Sequence, residues 1–219
     1  MKKLIDLSHT VEAGMVTYKG LPAPLICDFL TREASKAYYA EGTTFHIGTI
    51  EMAGNTGTYI DSPFHRYANG KDLSELPLTS LADLDGFVFS VDPGEKIIGP
   101  ETFANANVEG KAVLIHTGWD QHWRSDQYFE NHPYITAAAA GLLQRAGAAL
   151  VGIDSYNMDG TATGDRPAHT ILLGADIPIV EHLCNLQDLP ADSFRFNAVP
   201  VKVKRFGTFP VRAYAVINT

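Results

Sequence analysis

Apolar residues along this chain fall into short runs broken by turn residues, and only one stretch has a sustained helical period. Leu4 to Ser8 is a compact run that predicts a first strand. Thr43 to Met52 (TTFHIGTIEM) is rich in β-branched residues and alternates, which predicts another strand. Gly54 and Gly57 break that strand, and Pro63 prevents its simple continuation. Gly86 to Val91 and Ala112 to His116 are apolar runs of strand length. Ile135 to Gly147 (ITAAAAGLLQRAG) predicts a helix, because alanine and leucine favour it and Gly147 supplies a stop. It leads directly into Ala149 to Ile153, whose unbroken apolarity predicts a strand covered on both faces. Strand, helix and strand in that order predict a βαβ crossover. Further on, Phe196 to Val203 and Val211 to Ile217 read as paired strands around a turn at Phe206-Gly207-Thr208. The balance is mixed α/β with more strand than helix. With no fixed-period repeat and no low-complexity break, one domain over residues 1–219 is expected.

Charge and composition narrow the partners. The 219 residues carry 17 Lys+Arg against 25 Asp+Glu, a formal charge of −8. With no Lys/Arg cluster, that balance argues against nucleic acid or an anionic membrane surface. No window approaches the ~20 apolar residues needed to cross a bilayer. Charge returns too soon after Lys2-Lys3 for a signal-peptide core, so a cytoplasmic location is expected. Cys27 and Cys184 are too few for a disulfide scaffold or a thiolate zinc site, and both are expected to be small buried apolar residues. The chain has no Gly-x-Ser-x-Gly elbow, no phosphate loop ending in Gly-Lys-Ser/Thr, no Gly-x-Gly-x-x-Gly and no His-Glu-x-x-His. Chemistry then falls to histidines and carboxylates.

Most of the eight histidines read as structural. His116, His122 and His132 sit among aromatic and polar residues, as packing or surface. His46 alternates on a strand, and His182 reads as an exposed turn residue. His9, at the end of the first strand, suits a hydrogen-bonding or substrate-edge role. Two clusters stand apart. Gly54 to Arg66 packs Asn55, Tyr59, Asp61 and His65 among glycines and a proline, where the backbone can approach a ligand closely. Gly164 to His169, followed by Leu172-Leu173 and Ile179-Val180-Glu181, places a loop histidine before an apolar run ending in an acid. Glu181 is then either an exposed helix-start residue or a buried carboxylate that needs a cation, a metal or a proton beside it.

Together these segments resemble the cyclase/metal-dependent hydrolase family that includes bacterial kynurenine formamidase and isatin hydrolase. The likeness runs from Ile5-Asp6-Leu7-Ser8-His9 through Gly57-Thr58, Asp61, Pro63 and His65. It continues through Thr117-Gly118-Trp119 and Gly152-Ile153-Asp154-Ser155 to His169, Leu172-Leu173 and Glu181. The resemblance implies a mixed-sheet α/β fold of the swivelling β/β/α type, assembled as a homodimer or homotetramer. It also implies a site built on His-x-x-x-His-x-Asp-x-x-x-His. In that motif the first two histidines and the aspartate bind one or two divalent metals, the last histidine is the acid–base residue, and a later histidine and glutamate complete the site.

Asp61, His65, His169 and Glu181 fall on matching positions, but Asn55 and Tyr59 stand where the two leading imidazoles are expected. An amide oxygen is a weak ligand, and a phenol must first lose a proton near pKa ~10. A two-metal site should therefore be lost, while Asp61, His169 and Glu181 equal the three protein ligands of many catalytic zinc sites. The resemblance thus implies a hydrolase of a C–N amide or formamide bond in a small aromatic substrate. One weakly held zinc or manganese would be bound by Asp61, His169 and Glu181. His65 would act as general acid/base, with Tyr59 and Asp61 assisting and Tyr18, Phe64 and Trp119 as aromatic lining. Two alternatives stand beside it. One is a metal-free relative doing lyase, isomerase or cyclase chemistry, with a shared proton or Arg66 or Arg166 neutralising the acids. The other is a non-catalytic small-molecule binding protein. Bound metal at stoichiometry supports the hydrolase, a metal-free but active protein the first alternative, and tight small-molecule binding without turnover the second.

Overall fold

The computed structural model describes residues 1–104 and 106–218. Its strands are β1 (Lys2–Asp6), β2 (Leu25–Leu30), β3 (Ile47–Glu51), β4 (Tyr59–Asp61), β5 (Leu84–Ser90), β6 (Ile97–Ile98) and β7 (Ala112–His116). They continue with β8 (Tyr134–Ile135), β9 (Leu150–Ile153), β10 (Ile179–Glu181), β11 (Phe194–Asn197), β12 (Thr208–Pro210) and β13 (Tyr214–Asn218). The helices are α1 (Arg32–Ser35), α2 (Ala137–Arg145) and α3 (Pro167–Gly174). One sheet takes nine of the strands in the order β1-β13-β11-β5-β7-β9-β10-β4-β12. Its centre, β5 to β10, is parallel, and both flanks are antiparallel.

The period of two along the central strands builds a core on each face. Val113, Ile115, Val151 and Ile153 point to the helices, where they meet Ala140 and Leu143 of α2 and Ala168 and Leu172 of α3. Ala112, Leu114 and Leu150 point the other way and pack with Ile60, Val180, Phe194 and Phe196. The expected crossover is present: β7 and β9 are parallel neighbours, with α2 between them in sequence. Thr136 caps α2 by accepting from the Ala139 N–H, and Gly147, at φ 75°, takes the left-handed conformation after its end. Among the described residues no helix is long and apolar enough to cross a membrane.

The chain departs from the sequence pattern at its short and exposed elements. Thr43 to Met52 does not join the main sheet: only Ile47–Glu51 is strand, paired with Leu25–Leu30 in a separate ribbon whose residues are almost all exposed. Phe196 to Val203 is strand only to Asn197, and Thr208, expected in the turn, opens a short strand, Thr208–Pro210, paired with β4. Cys27 lies on the ribbon and is exposed; only Cys184 is buried. His182 is a turn residue at φ 57° but fully buried, ringed by Tyr59, Trp123, Tyr128 and Tyr156. Aromatic packing, not solvent, receives its imidazole.

Candidate active site

Strand register assembles the site. β4 lies between β10 and β12, so each of its side chains meets a cross-strand partner. Tyr59 stands opposite Glu181, and Asp61, two residues on and therefore on the same face, stands opposite Thr208. The Tyr59 hydroxyl donates to Glu181 Oε2 at 2.5 Å, and Thr208 Oγ1 donates to Asp61 Oδ1. Pro63 then starts a short 3-10 turn, Pro63–His65, that brings His65 back over Asp61. His65 Nδ1 lies 2.8 Å from Thr208 Oγ1 and 3.7 Å from Asp61 Oδ1. Because the Thr208 proton goes to Asp61, Thr208 offers His65 a lone pair. His65 Nδ1–H is therefore the donor, and in the neutral ring Nε2 carries the free lone pair.

His169 belongs to the first turn of α3 and not to a loop. Asp159 accepts from the Ala168 N–H at 2.7 Å and the His169 N–H at 3.0 Å, which caps the start of the helix. The same carboxylate accepts from His169 Nδ1 at 2.7 Å, so in its neutral form His169 presents the Nε2 lone pair to the cluster. That nitrogen lies 3.5 Å from Glu181 Oε1 and 3.7 Å from Asp61 Oδ2.

Asp61, His169 and Glu181 are buried, and their ligand atoms all lie within 4.8 Å of one another. Two ligand atoms at zinc distances of ~2.0–2.2 Å and a tetrahedral angle stand ~3.4 Å apart, close to the spacings found here. Among the described residues Asp61 Oδ2 is buried with no hydrogen-bond partner, an arrangement that costs free energy unless a cation sits beside it. The donor set therefore fits one divalent cation. It does not fit a second. Burial and the nearby Glu181 and Asp61 carboxylates push the Tyr59 phenol well above its ordinary value, and its proton is already donated in the hydrogen bond to Glu181 Oε2. The amide of Asn55 faces the same hydroxyl.

Charge in the cluster is tightly coupled. Burial and the Asp61 charge raise Glu181 to about 7, against the pull of His169. Burial opposes protonation of His169, but Glu181, Asp159 and Asp61 outweigh it and raise the imidazole to about 10. Positive charge, as a proton or a metal, is what this cluster of acids demands.

A cavity of about 270 Å³ opens over the cluster, and Tyr18, Asn55, His65, Asn157, Arg166 and Glu181 are among its lining residues. Of the aromatics expected there, Tyr18 lines it. Trp119 is buried in an aromatic group with Tyr128 and Tyr156, and Phe64 takes no part in the lining. Neither Arg66 nor Arg166 reaches an acid of the cluster among the described residues. His9 stacks on Trp123 at 3.9 Å and lies outside the lining. Asp159 and Thr208 have no counterpart in the sequence reading. The available signals were a carboxylate just after a buried strand, in Asn157-Met158-Asp159-Gly160, and a lone threonine after Gly207.

Gly207 itself is required by close packing. A Cβ there would lie 2.6 Å from His65 N and 2.7 Å from His65 Cα. Gly207→Ala is expected to push His65 off Thr208, lowering kcat ~100-fold while the metal content stays unchanged, as read by steady-state kinetics beside metal analysis.

Known proteins share this architecture. The sequence model of the family described as putative cyclase matches residues 5–160. A kynurenine formamidase from Geobacillus thermodenitrificans is 32% identical over 176 residues, 80% of this chain and 81% of that protein. Another from Salinibacter ruber is 28% identical over 219 residues, 96% of this chain and 95% of its own length. Among solved structures, isatin hydrolase A from Labrenzia aggregata bound to benzyl benzoate matches with a TM-score of 0.83 at 22% identity, covering 100% of this chain and 94% of that one. At that identity the likeness speaks to the fold.

Proposed function

The chain belongs to the putative cyclase family, and from that premise we propose that it hydrolyses the C–N bond of a small aryl formamide or related amide. His65 is the proton carrier, and Asp61, His169 and Glu181 hold one divalent metal. The observation that carries this reading is Asp61 Oδ2, buried without a hydrogen-bond partner among the described residues and 3.7 Å from His169 Nε2. Kynurenine formamidase relatives supply the bond type.

A zinc or manganese ion held by those three residues would polarise the substrate carbonyl and acidify water. The chain's own groups do the rest. His65 Nε2, with its tautomer set by Thr208, accepts a proton from the attacking water and returns it to the leaving nitrogen. Asp61 holds Thr208, and through it His65, in register. Asp159 orients His169. Tyr59 and the Met158 N–H, which donates at 2.5 Å, fix the two oxygens of Glu181. Tyr59 thus acts by holding a ligand. The direct test is release of aniline from formanilide by the purified protein. Turnover that is stopped by a chelator and restored by zinc or manganese supports the reading, and a metal-loaded protein with no turnover contradicts it.

Of the homodimer and homotetramer that the family resemblance implies, the homodimer is the one the ribbon supports. Leu25, Ile26, Phe29, Tyr38, Phe45 and Ile50 are between 44% and 76% exposed, on and beside a two-stranded element that buries none of them. An isolated two-stranded ribbon is marginal in water, and a second copy would cover it. Light scattering on a sizing column is expected to give twice the 23.8 kDa chain mass, falling to one chain in Phe29→Glu.

A further inference from the structure

His65 is held from two sides. Thr208 bonds its imidazole, and the loop that carries it is tied to α3, the helix that carries His169. That loop, residues 63–71, is closed on itself. The Phe64 N–H donates to Lys71 O at 3.0 Å, the Tyr67 N–H to Pro63 O at 2.9 Å and the Gly70 N–H to Tyr67 O at 2.8 Å. Three ties then run from the loop to α3 and its end. The Tyr67 hydroxyl donates to Thr170 O at 2.8 Å, Arg66 Nε donates to Thr170 Oγ1 at 3.3 Å, and Lys71 Nζ donates to Asp176 Oδ2 at 2.6 Å. They are unequal. The Arg66 and Lys71 bonds are exposed, so water competes for both and they hold the loop weakly. The Tyr67 bond is partly buried, and its ring packs against the core on the helix side of the sheet. Gly174, at the end of α3, leaves room for it: a Cβ there would lie 3.1 Å from the Tyr67 oxygen. Thr170 directly follows His169, so the phenol grips the backbone beside a member of the buried cluster. Between these fixed ends the His65 and His169 ring centres stand 6.2 Å apart.

We propose that Tyr67 is a positioning residue: its phenol sets how far the His65 turn stands from α3, and so from Asp61, His169 and Glu181. The assignment rests on the hydrolase reading above and deepens it, since it concerns the same proton carrier. Tyr67 is not among the residues lining the cavity, so it acts through His65 and not on a substrate. Proton transfer needs its heavy atoms within hydrogen-bond reach, and a displacement of about 1 Å caused from a distance can cost roughly 100-fold in rate. A loop that keeps Thr208 and its own internal bonds after losing one tie should move by less than that.

The test is Tyr67→Phe, which removes the hydroxyl and keeps the ring. With formanilide, kcat is expected to fall about tenfold, with KM within about twofold and bound metal unchanged. Lys71→Ala, which cuts the exposed tie of the same loop, is expected to keep kcat within about twofold. Full kcat in Tyr67→Phe overturns the proposal. So does a loss shared with KM or with metal content, which is what a merely structural role would produce, and so does an equal loss in Lys71→Ala. If Tyr67→Phe does not fold, Gly174→Ala decides, because it presses a methyl on the same hydroxyl while favouring the helix. A fall in its kcat alone upholds the assignment, and an unchanged kcat overturns it. If no formamide is turned over, the hydrolase reading falls, and positioning is read from the ¹⁵N shifts of the His65 imidazole, identified by their loss in His65→Ala. In the intact protein the neutral ring should show a protonated Nδ1 and a bare Nε2. Tyr67→Phe is expected to draw the two resonances toward their average, and unmoved resonances overturn the assignment.

Discussion

His65→Ala is expected to lower kcat by about 10³-fold, the usual worth of a positioned proton carrier, with one metal per chain retained. His65 Nδ1 is bound to Thr208 and stands 3.7 Å from Asp61 Oδ1, and its side chain is 37% exposed. Removing it takes away the proton path and leaves Asp61, His169 and Glu181 in place. Steady-state turnover of formanilide beside metal analysis checks both halves. Full activity in His65→Ala would exclude it as the base, and loss of metal in that variant would make it a ligand.

His169→Ala is expected to have the larger structural effect. The imidazole is buried against three carboxylates, Asp61, Asp159 and Glu181. Without it, Asp159 keeps only its helix-capping bonds from Ala168 and His169 N–H, and the other two acids face each other with no cation. Breaking a buried ion pair from one side costs about 3–5 kcal/mol. Denaturant unfolding should show a loss of that size, and the metal content should fall close to zero. Asp159→Asn is the milder companion. It leaves the ligand in place but weakens its orientation, which typically lowers metal affinity 10–100-fold. A His169→Ala protein that keeps its metal and its stability would remove His169 from the centre of the site.

The parallel centre of the sheet was legible because its strands are covered on both faces and so read as unbroken apolar runs, as in Ala112–His116 and Leu150–Ile153. The strands that build the site were not legible in the same way. Tyr59–Asp61, Ile179–Glu181 and Thr208–Pro210 have three residues each, too few to display a period, and their pairing joins positions more than 100 residues apart. Asp61, His65, His169 and Glu181 stood out through their likeness to a known motif. Thr208 and Asp159 act only through cross-strand register and helix capping, which no local pattern announces. The Thr43 to Met52 pattern is real alternation and gave a strand, but it belongs to a ribbon exposed on both faces, so alternation alone did not say which partner it pairs with. His182 follows a strand in a turn, where solvent is the usual neighbour, and only the clustering of Tyr59, Tyr128 and Tyr156 puts it inside.

The departure at Asn55 and Tyr59 makes stoichiometry decisive. The Tyr59 hydroxyl already donates to Glu181 Oε2, while Asp61 Oδ2 has no hydrogen-bond partner among the described residues. The measurement that bears most directly on this is titration of metal-stripped protein with zinc or manganese, following bound metal per chain and formanilide turnover together. The expected result is activity that rises in step with occupancy and levels at one equivalent. Saturation at two equivalents, or full turnover with none bound, would contradict it.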